Sequence, residues 1–177
     1  MSSARRRAAR PPLPLPLAVC TAVVVAAAGC SPSDGGAGPA APSPSGRAAA
    51  VCRALHGKLP ERVNGQERTE PDPASDFTAA WGDPTIGLRC GVPRPEVLTP
   101  GSEHYNPTSD AAEVNGVSWL IEQRAGGYRF TTTDRAAFLE VTVPDAYAPE
   151  VGALTDLAAA VRSALPLGTP PPAPADD

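Results

Sequence analysis

The chain has 177 residues, which leaves room for one domain of ordinary size and excludes a multidomain enzyme. Its formal net charge is −4, and four of its cations, Arg5, Arg6, Arg7 and Arg10, lie at the N-terminus. The rest of the chain is therefore acidic and has no basic stripe that would neutralise phosphates. This composition argues against a nucleic-acid partner and against electrostatic attachment to anionic lipid headgroups.

The N-terminal segment has the pattern of a bacterial export signal. Charged residues from Arg5 to Arg10 precede an apolar run from Leu13 to Ala28, and Ala27-Ala28-Gly29-Cys30 then places small residues before a cysteine. This is typical of a lipobox, in which the thiol of Cys30 receives a diacylglyceryl group and the signal is cut before it. The uninterrupted apolar residues are fewer than the roughly 20 that a membrane-spanning helix needs. Ordinary cleavage at an Ala-x-Ala site is the alternative.

We expect four segments along the chain. They are a signal peptide (1–29), a lipidated Cys30 with a disordered tether (30–46), one folded domain (47–166) and a disordered, proline-rich acidic tail (167–177). The tether has no apolar residue larger than alanine, so it cannot bury enough surface to offset the entropy of ordering. The lipid would hold the domain at the outer face of the cytoplasmic membrane, which makes that membrane the first predicted partner.

Two cysteines remain after the lipobox, Cys52 and Cys90. In an exported protein such a pair is most simply a disulfide, and closing the loop would stabilise the fold by roughly 4 kcal/mol. The alternative is a reactive or metal-binding cysteine. However, no Cys-x-x-Cys occurs, and His56 and His104 do not lie at metal-ligand spacing from either cysteine. The sequence therefore predicts a structural bridge, no metal site and no cofactor.

Apolar periodicity predicts the elements of the folded domain. Ala48, Cys52, Leu55 and Leu59 recur at helical spacing before Pro60. The polar stretches 61–76 and 93–113 are expected to be loops. Alternation with a period of two predicts strands at 77–81, 86–92, 117–121, 128–132 and 139–143, and helical spacing returns over 149–165.

Together these elements predict an α+β fold. We expect a two-layer sandwich, in which an antiparallel sheet of about four or five strands carries an N-terminal and a C-terminal helix on one face. Cys90 falls on the buried face of its strand, and Cys52 falls on the apolar stripe of the first helix. The disulfide would therefore join that helix to the sheet.

Several motifs, in this order, resemble those of a known family. They are the lipobox, an early cysteine on a helix, Ala80-Trp81-Gly82-Asp83-Pro84, Leu88-Arg89-Cys90-Gly91-Val92, Val117-Ser118-Trp119 and Val141-Thr142-Val143-Pro144. Over residues 51–165 the chain looks like the actinobacterial secreted lipoproteins that form the domain of unknown function 3515 family. The resemblance implies a location in the cell envelope. It implies no catalytic or binding residue, because the family has none assigned.

No catalytic residue is predicted. Neither His56 nor His104 lies in a recognisable nucleophile motif such as Gly-x-Ser-x-Gly. The sheet face turned away from the helices would carry mostly polar side chains, among them Arg89, Glu122 and Arg129, and most of it is expected to be an ordinary solvated face.

Two apolar residues on that polar face, Leu120 and Phe138, are a possible centre for a protein partner. The alternatives are that a long loop covers them or that they are scattered singly. A second possible site is a small-ligand or cell-wall-fragment site, formed by the long loop around Glu103, His104 and Tyr105 together with Trp81.

These observations predict a lipid-anchored envelope protein that is not an enzyme. A protein-interaction or scaffold role with an unidentified envelope protein ranks first. Binding of a small ligand derived from the envelope ranks second, and a hydrolase ranks third. A ligand site requires a concave pocket with converging polar groups, whereas a partner site requires a flat, exposed patch at Leu120 and Phe138.

Overall fold

The computed structural model describes residues 38–168. Within them lie the helices α1 (Gly46–His56) and α2 (Val151–Ala164), and short 3₁₀ turns at Glu96–Leu98 and Asp145–Tyr147. The strands are β1 (Arg62–Val63), β2 (Gln66–Thr69), β3 (Thr78–Trp81), β4 (Ile86–Cys90), β5 (Ala111–Val114), β6 (Val117–Arg124), β7 (Gly127–Thr132) and β8 (Leu139–Pro144).

All eight strands form one antiparallel sheet in the order β1-β2-β3-β4-β8-β7-β6-β5. The fold is α+β, but the prediction of a sheet of four or five strands is wrong. The five predicted strands are present as β3, β4, β6, β7 and β8. The additional strands β1, β2 and β5 lie in the two stretches that the sequence predicted to be polar loops.

Two Asn-Gly turns explain the additional strands. Asn64-Gly65 joins β1 to β2, and Asn115-Gly116 joins β5 to β6. Both asparagines and both glycines have positive φ, between 48° and 79°. Positive φ at both central positions defines the tight hairpin turn that matches the twist of paired strands, and Asn-Gly is its preferred sequence. The polar edge strands β1, β2 and β5 are therefore specified mainly by their turns.

The main core lies between the helices and one face of the sheet, here called the inner face. Cys52 and Leu55 of α1 and Leu154, Leu157 and Val161 of α2 are buried there. The sheet contributes alternate residues, including Trp81, Ile86, Leu88, Val117, Trp119, Phe130, Leu139, Val141 and Val143. Both helices thus share one face of the sheet, since successive strand residues point to opposite faces.

Helix α2 contacts the turns at both edges of the sheet. A carboxylate oxygen of Asp156 accepts a hydrogen bond from the backbone N–H of Asn64 at 2.7 Å. At the opposite edge, the Arg162 guanidinium donates to the carbonyl of Asn115. The buried Arg135 donates to the carbonyls of Gly116 and Leu165, and so ties this turn to the end of α2.

These contacts require a strongly curved sheet. Seven strand spacings would separate the two edges of a flat eight-stranded sheet by roughly 34 Å. Asp156 and Arg162 are six residues apart in α2, which corresponds to about 9 Å along the helix axis. The sheet must therefore curl around α2, with its inner face concave and its outer face convex.

The disulfide has the predicted pairing. Cys52 of α1 and Cys90 of β4 are joined, with their Cα atoms 5.5 Å apart, and both residues are buried. The bond links α1 to the middle of the sheet, as expected from the positions of the two cysteines on the helix stripe and on the inner face of the strand.

The described residues before the predicted start of the domain at residue 47 pack against the sheet. Residues 38–45, which we call the strap, lie against the outer face of β4. The Arg89 Nε donates to the carbonyl of Ala40 at 2.8 Å. A Cβ atom on Gly91 would lie 2.5 Å from the Cβ of Pro44, so a residue without a side chain is needed where the strap crosses the strand. This part of the predicted disordered tether is held by tertiary contacts.

Residues just after the predicted end of the domain at residue 166 also make contacts with it. Leu167 forms an isolated bridge with Arg135, and the N–H of Gly168 donates to the carbonyl of Asp134 at 3.0 Å. These first tail residues therefore pair with the loop before β8. The predicted signal peptide, Cys30, the start of the tether and the tail from residue 169 onward lie outside the described residues.

We expect Gly91→Ala to destabilise the fold more than the matched substitution Gly126→Ala. Both glycines have similar positive φ, +86° and +82°, but a Cβ at Gly126 would meet nothing within 4 Å. The difference between the two variants therefore isolates the clash with Pro44, which we expect to cost roughly 1–3 kcal/mol. Urea unfolding gives the stabilities, and hydrogen exchange of the amides in the strap reports whether it detaches. Equal losses in the two variants would show that the strap is not packed on β4.

Candidate functional site

The convex outer face carries opposite charges on neighbouring strands. The strand register sets Arg89 of β4 beside Glu140 of β8, and Arg129 of β7 beside Glu122 of β6. The Arg89 Nη1 lies 3.0 Å from a Glu140 oxygen. Arg129 binds Glu122 through two parallel hydrogen bonds of 2.9 Å each, which is the most directional form of an arginine–carboxylate pair.

The two glutamates link the arginines into one network. Glu122 also accepts from Arg124 at 2.5 Å, and Glu140 lies 3.8 Å from the Nη1 of Arg129. The side chains of Glu122 and Glu140 are only 14% and 11% exposed. Two largely buried carboxylates therefore hold three guanidinium groups in fixed positions, and the network has a surplus of one positive charge.

The loop between β4 and β5 lies next to this network on the outer face, and the two together form a groove. The backbone N–H of Asn106 donates to the carbonyl of Val97 at 2.9 Å, which closes the loop on itself. The volume of this half-open groove is about 730 Å³. We call this cavity the outer groove; its lining residues are Arg89, Val92, Pro93, Arg94, Pro95, Glu96, Val97, His104, Asn106, Glu122, Arg124, Arg129, Thr131 and Glu140.

Arg94 is the cation of the groove that lies outside the network. Its guanidinium carbon is 5.8 Å from the centre of the Phe138 ring, within the range of a cation–π contact. No carboxylate of residues 38–168 forms an ion pair with it. With Arg94 included, four guanidinium groups face three carboxylates in the groove of a chain whose net charge is negative.

Part of the predicted ligand site lines this groove. His104 is 70% exposed, and its Nε2 lies 3.7 Å from a carboxylate oxygen of Glu96 at the rim. Glu103 and Tyr105 are exposed on the same loop. Trp81 is fully buried on the inner face, where its Nε1 donates to the carbonyl of Pro60 at 3.0 Å. The structure therefore does not bring Trp81 to the loop, because its position in β3 directs its side chain to the inner face.

The predicted partner patch is covered. Leu120 and Phe138 lie on the outer face, as their alternation indicated, but they are only 1% and 5% exposed. The loop between β4 and β5 stands over this side of the sheet, and Arg94 from that loop lies over the Phe138 ring. The expectation of a flat, exposed apolar patch is corrected accordingly, and for Phe138 the alternative of coverage by a long loop describes the structure.

A second cavity of about 430 Å³ lies at the end of α1 and contains His56. The His56 Nε2 is 3.0 Å from the Nη2 of Arg68. Because a guanidinium can only donate, this ring nitrogen accepts the bond and is not free to take a proton from a nucleophile. Within the described range, no group of three His, Cys, Asp or Glu side chains is arranged to hold a metal ion.

Sequence reasoning missed the residues that build the groove. The alternation pattern places Arg89, Glu122 and Arg129 on the correct face but predicts an ordinary solvated surface there, and the polar stretch 93–113 predicts only that Arg94 lies in a loop. The available signal was the alternation of charge sign between outward positions of successive strands. That signal becomes specific only when the strand register is known, because it depends on which residues are direct cross-strand neighbours.

Comparison with known proteins identifies the family. The family described as "Protein of unknown function (DUF3515)" matches residues 13–169, and the chain belongs to it. This description carries no enzymatic activity. No curated protein and no solved structure matches the chain. Among residues 38–168, no helix has the length and apolar character needed to cross a membrane.

Proposed function

We propose that this protein is a lipid-anchored, extracytoplasmic module that binds a small polar ligand of the cell envelope in its outer groove. The outer groove is the observation that carries the proposal. Its volume of about 730 Å³ falls in the range of ligand pockets in proteins, which are concave and contain a few convergent polar groups. The fixed charges of Arg129 and Glu122 are suited to orienting a polar ligand.

The proposed location rests on three features of the chain. The lipobox ending in Cys30 follows a charged and then apolar leader. The disulfide between Cys52 and Cys90 supports an oxidising compartment, since such bonds persist mainly outside the cytosol. The arginine-rich composition, with Lys58 as the single lysine, supports a high-GC actinobacterial source.

A docking role ranks second. Burial of Leu120 and Phe138 removes the apolar centre that a protein interface on this face would need. Among the described residues, the large apolar side chains that are exposed are Tyr105, Val151 and Leu167, which lie on separate elements. Scattered exposed residues of this kind are normal on a protein surface and do not support a docking patch.

We do not propose catalysis. His56 is engaged with Arg68, and His104 lies on an exposed loop beside Glu96. Neither histidine is hydrogen-bonded to a hydroxyl or thiol nucleophile among the described residues, which is the arrangement that nucleophilic catalysis requires.

The anchoring part of the proposal is tested with Cys30→Ala in the native host. We expect the wild-type protein to incorporate an alkyne-labelled fatty acid and to sediment with membranes. The variant should lose the label, because it lacks the thiol that accepts the diacylglyceryl group. Cys20→Ala is the matched control, since Cys20 lies inside the leader and should leave labelling unchanged. Equal labelling of the Cys30 variant and the wild type would overturn the proposed anchor.

The binding part is tested by filling the groove. Val97 lines the groove, whereas Val151 is exposed at the start of α2, away from it. We expect muramyl dipeptide, a soluble cell-wall fragment, to bind the detergent-solubilised full chain in a calorimetric titration. Val97→Trp should abolish that binding because the indole occupies the groove, whereas Val151→Trp should leave it unchanged. Equal affinity in the two variants would exclude the outer groove as the site.

A further inference from the structure

We propose that the ligand of the outer groove carries an oxyanion, a carboxylate or a phosphate, and that Arg94 binds this group. The inference rests on the proposed function and specifies the chemistry of the same site.

The charge balance of the groove favours an anion. Glu122 and Glu140 are both engaged by arginines and are largely buried, so they are not available to a ligand cation. Glu96 lies at the rim, and its side chain is 71% exposed. The lining of the groove therefore holds four guanidinium groups and three carboxylates, a surplus of one positive charge. An incoming anion would neutralise this surplus.

Arg94 is positioned to receive the anion. It lies on the loop that forms one wall of the groove, between Pro93 and Pro95, whose rings restrict the backbone on both sides. Its guanidinium carbon lies 5.8 Å from the centre of the Phe138 ring, and within residues 38–168 no ion pair engages its N–H groups. A cation held in place before binding loses less side-chain freedom when the ligand arrives.

The arginines of the network add further donors. A guanidinium has five N–H groups, and Arg129 commits two of them to Glu122 in bonds of 2.9 Å. Arg89 is held at two atoms, by the strap carbonyl of Ala40 and by Glu140. The glutamates thus orient these side chains and leave donors unpaired. Carboxylates and phosphates both match the fork of a guanidinium, which is why the shared chemistry is an oxyanion.

The test compares probes that differ in one charge. N-acetyl-alanyl-alanine, its C-terminal amide and inorganic phosphate are titrated into the detergent-solubilised full chain, and affinities are measured by calorimetry. We expect the free acid to bind at least roughly tenfold more tightly than the amide, because a charge-assisted hydrogen bond is lost in the amide. A response to phosphate with no response to the acid would assign the oxyanion to a phosphate source.

Two variants assign the effect to Arg94. Arg94→Gln, which keeps a polar side chain but removes the charge and the guanidinium fork, should weaken binding of the preferred oxyanion by roughly tenfold or more. Arg62→Gln is the matched control, since Arg62 pairs with Glu67 at the far edge of the sheet. Circular dichroism confirms that both variants are folded, and Arg94→Lys provides a second variant that keeps the charge without the fork.

The outcomes separate the inference from the proposed function. Equal binding of acid and amide, both blocked by Val97→Trp, would overturn the oxyanion and leave the groove as a ligand site. Oxyanion binding that survives Arg94→Gln, or that Arg62→Gln weakens equally, would overturn the role of Arg94. Binding of the acid that is unaffected by Val97→Trp would contradict both proposals.

Discussion

The curvature of the sheet around α2 is the constraint on which the rest of the structure depends. Asp156 accepts a hydrogen bond from the turn of one edge hairpin, and Arg162 donates one to the turn of the other. The buried Arg135 ties the second turn to the end of the helix. A flat sheet could not bring both turns to residues that lie only six positions apart on this helix. The right-handed twist of antiparallel strands makes such curling favourable, and the alanine-rich face of α2 allows the strands to approach closely.

Because the sheet is curved, its two faces differ in shape and in the side chains that they carry. The concave inner face takes most of the large apolar side chains, including both tryptophans, so that one core serves α1, α2 and the sheet. The convex outer face is left with charged residues and a few apolar ones. The strap covers β4, and the loop after β4 stands over β6, β7 and β8. The outer groove is the space left between that loop and the paired charges.

The strands and buried residues of the inner face could be predicted from the sequence, whereas the edge strands and the coverage of the outer face could not, and the reason is physical. Buried strands such as β4 and β8 alternate in polarity because one face is dry, and this pattern can be read from residues alone. The edge strands β1, β2 and β5 are exposed, so alternation is weak there. Their Asn-Gly turns were the usable signal, at Asn64-Gly65 and Asn115-Gly116. The disulfide was predictable because two cysteines remain after the leader of an exported chain, and because each lies on an apolar stripe.

Coverage of the outer face depends on contacts between distant segments. The strap is rich in proline, glycine, serine and alanine, and this composition predicts disorder. It nevertheless packs on β4, because Gly87 and Gly91 have no side chains and leave space for its prolines. The burial of Leu120 and Phe138 depends on where the long loop folds, and no local pattern specifies that. The same holds for Arg94, whose position over Phe138 joins a loop residue to a strand-end residue 44 positions later.

In this account, the outer groove is the ligand-binding site of the protein. The most direct measurement is amide NMR of the isotopically labelled full chain in lipid nanodiscs, titrated with a muramidase digest of the host cell wall. The account predicts shift changes confined to the groove, at Thr131, Glu140 and the loop residues from Val92 to Asn106. Changes centred on α1 and α2, or on the cavity around His56, with an unchanged groove would contradict it.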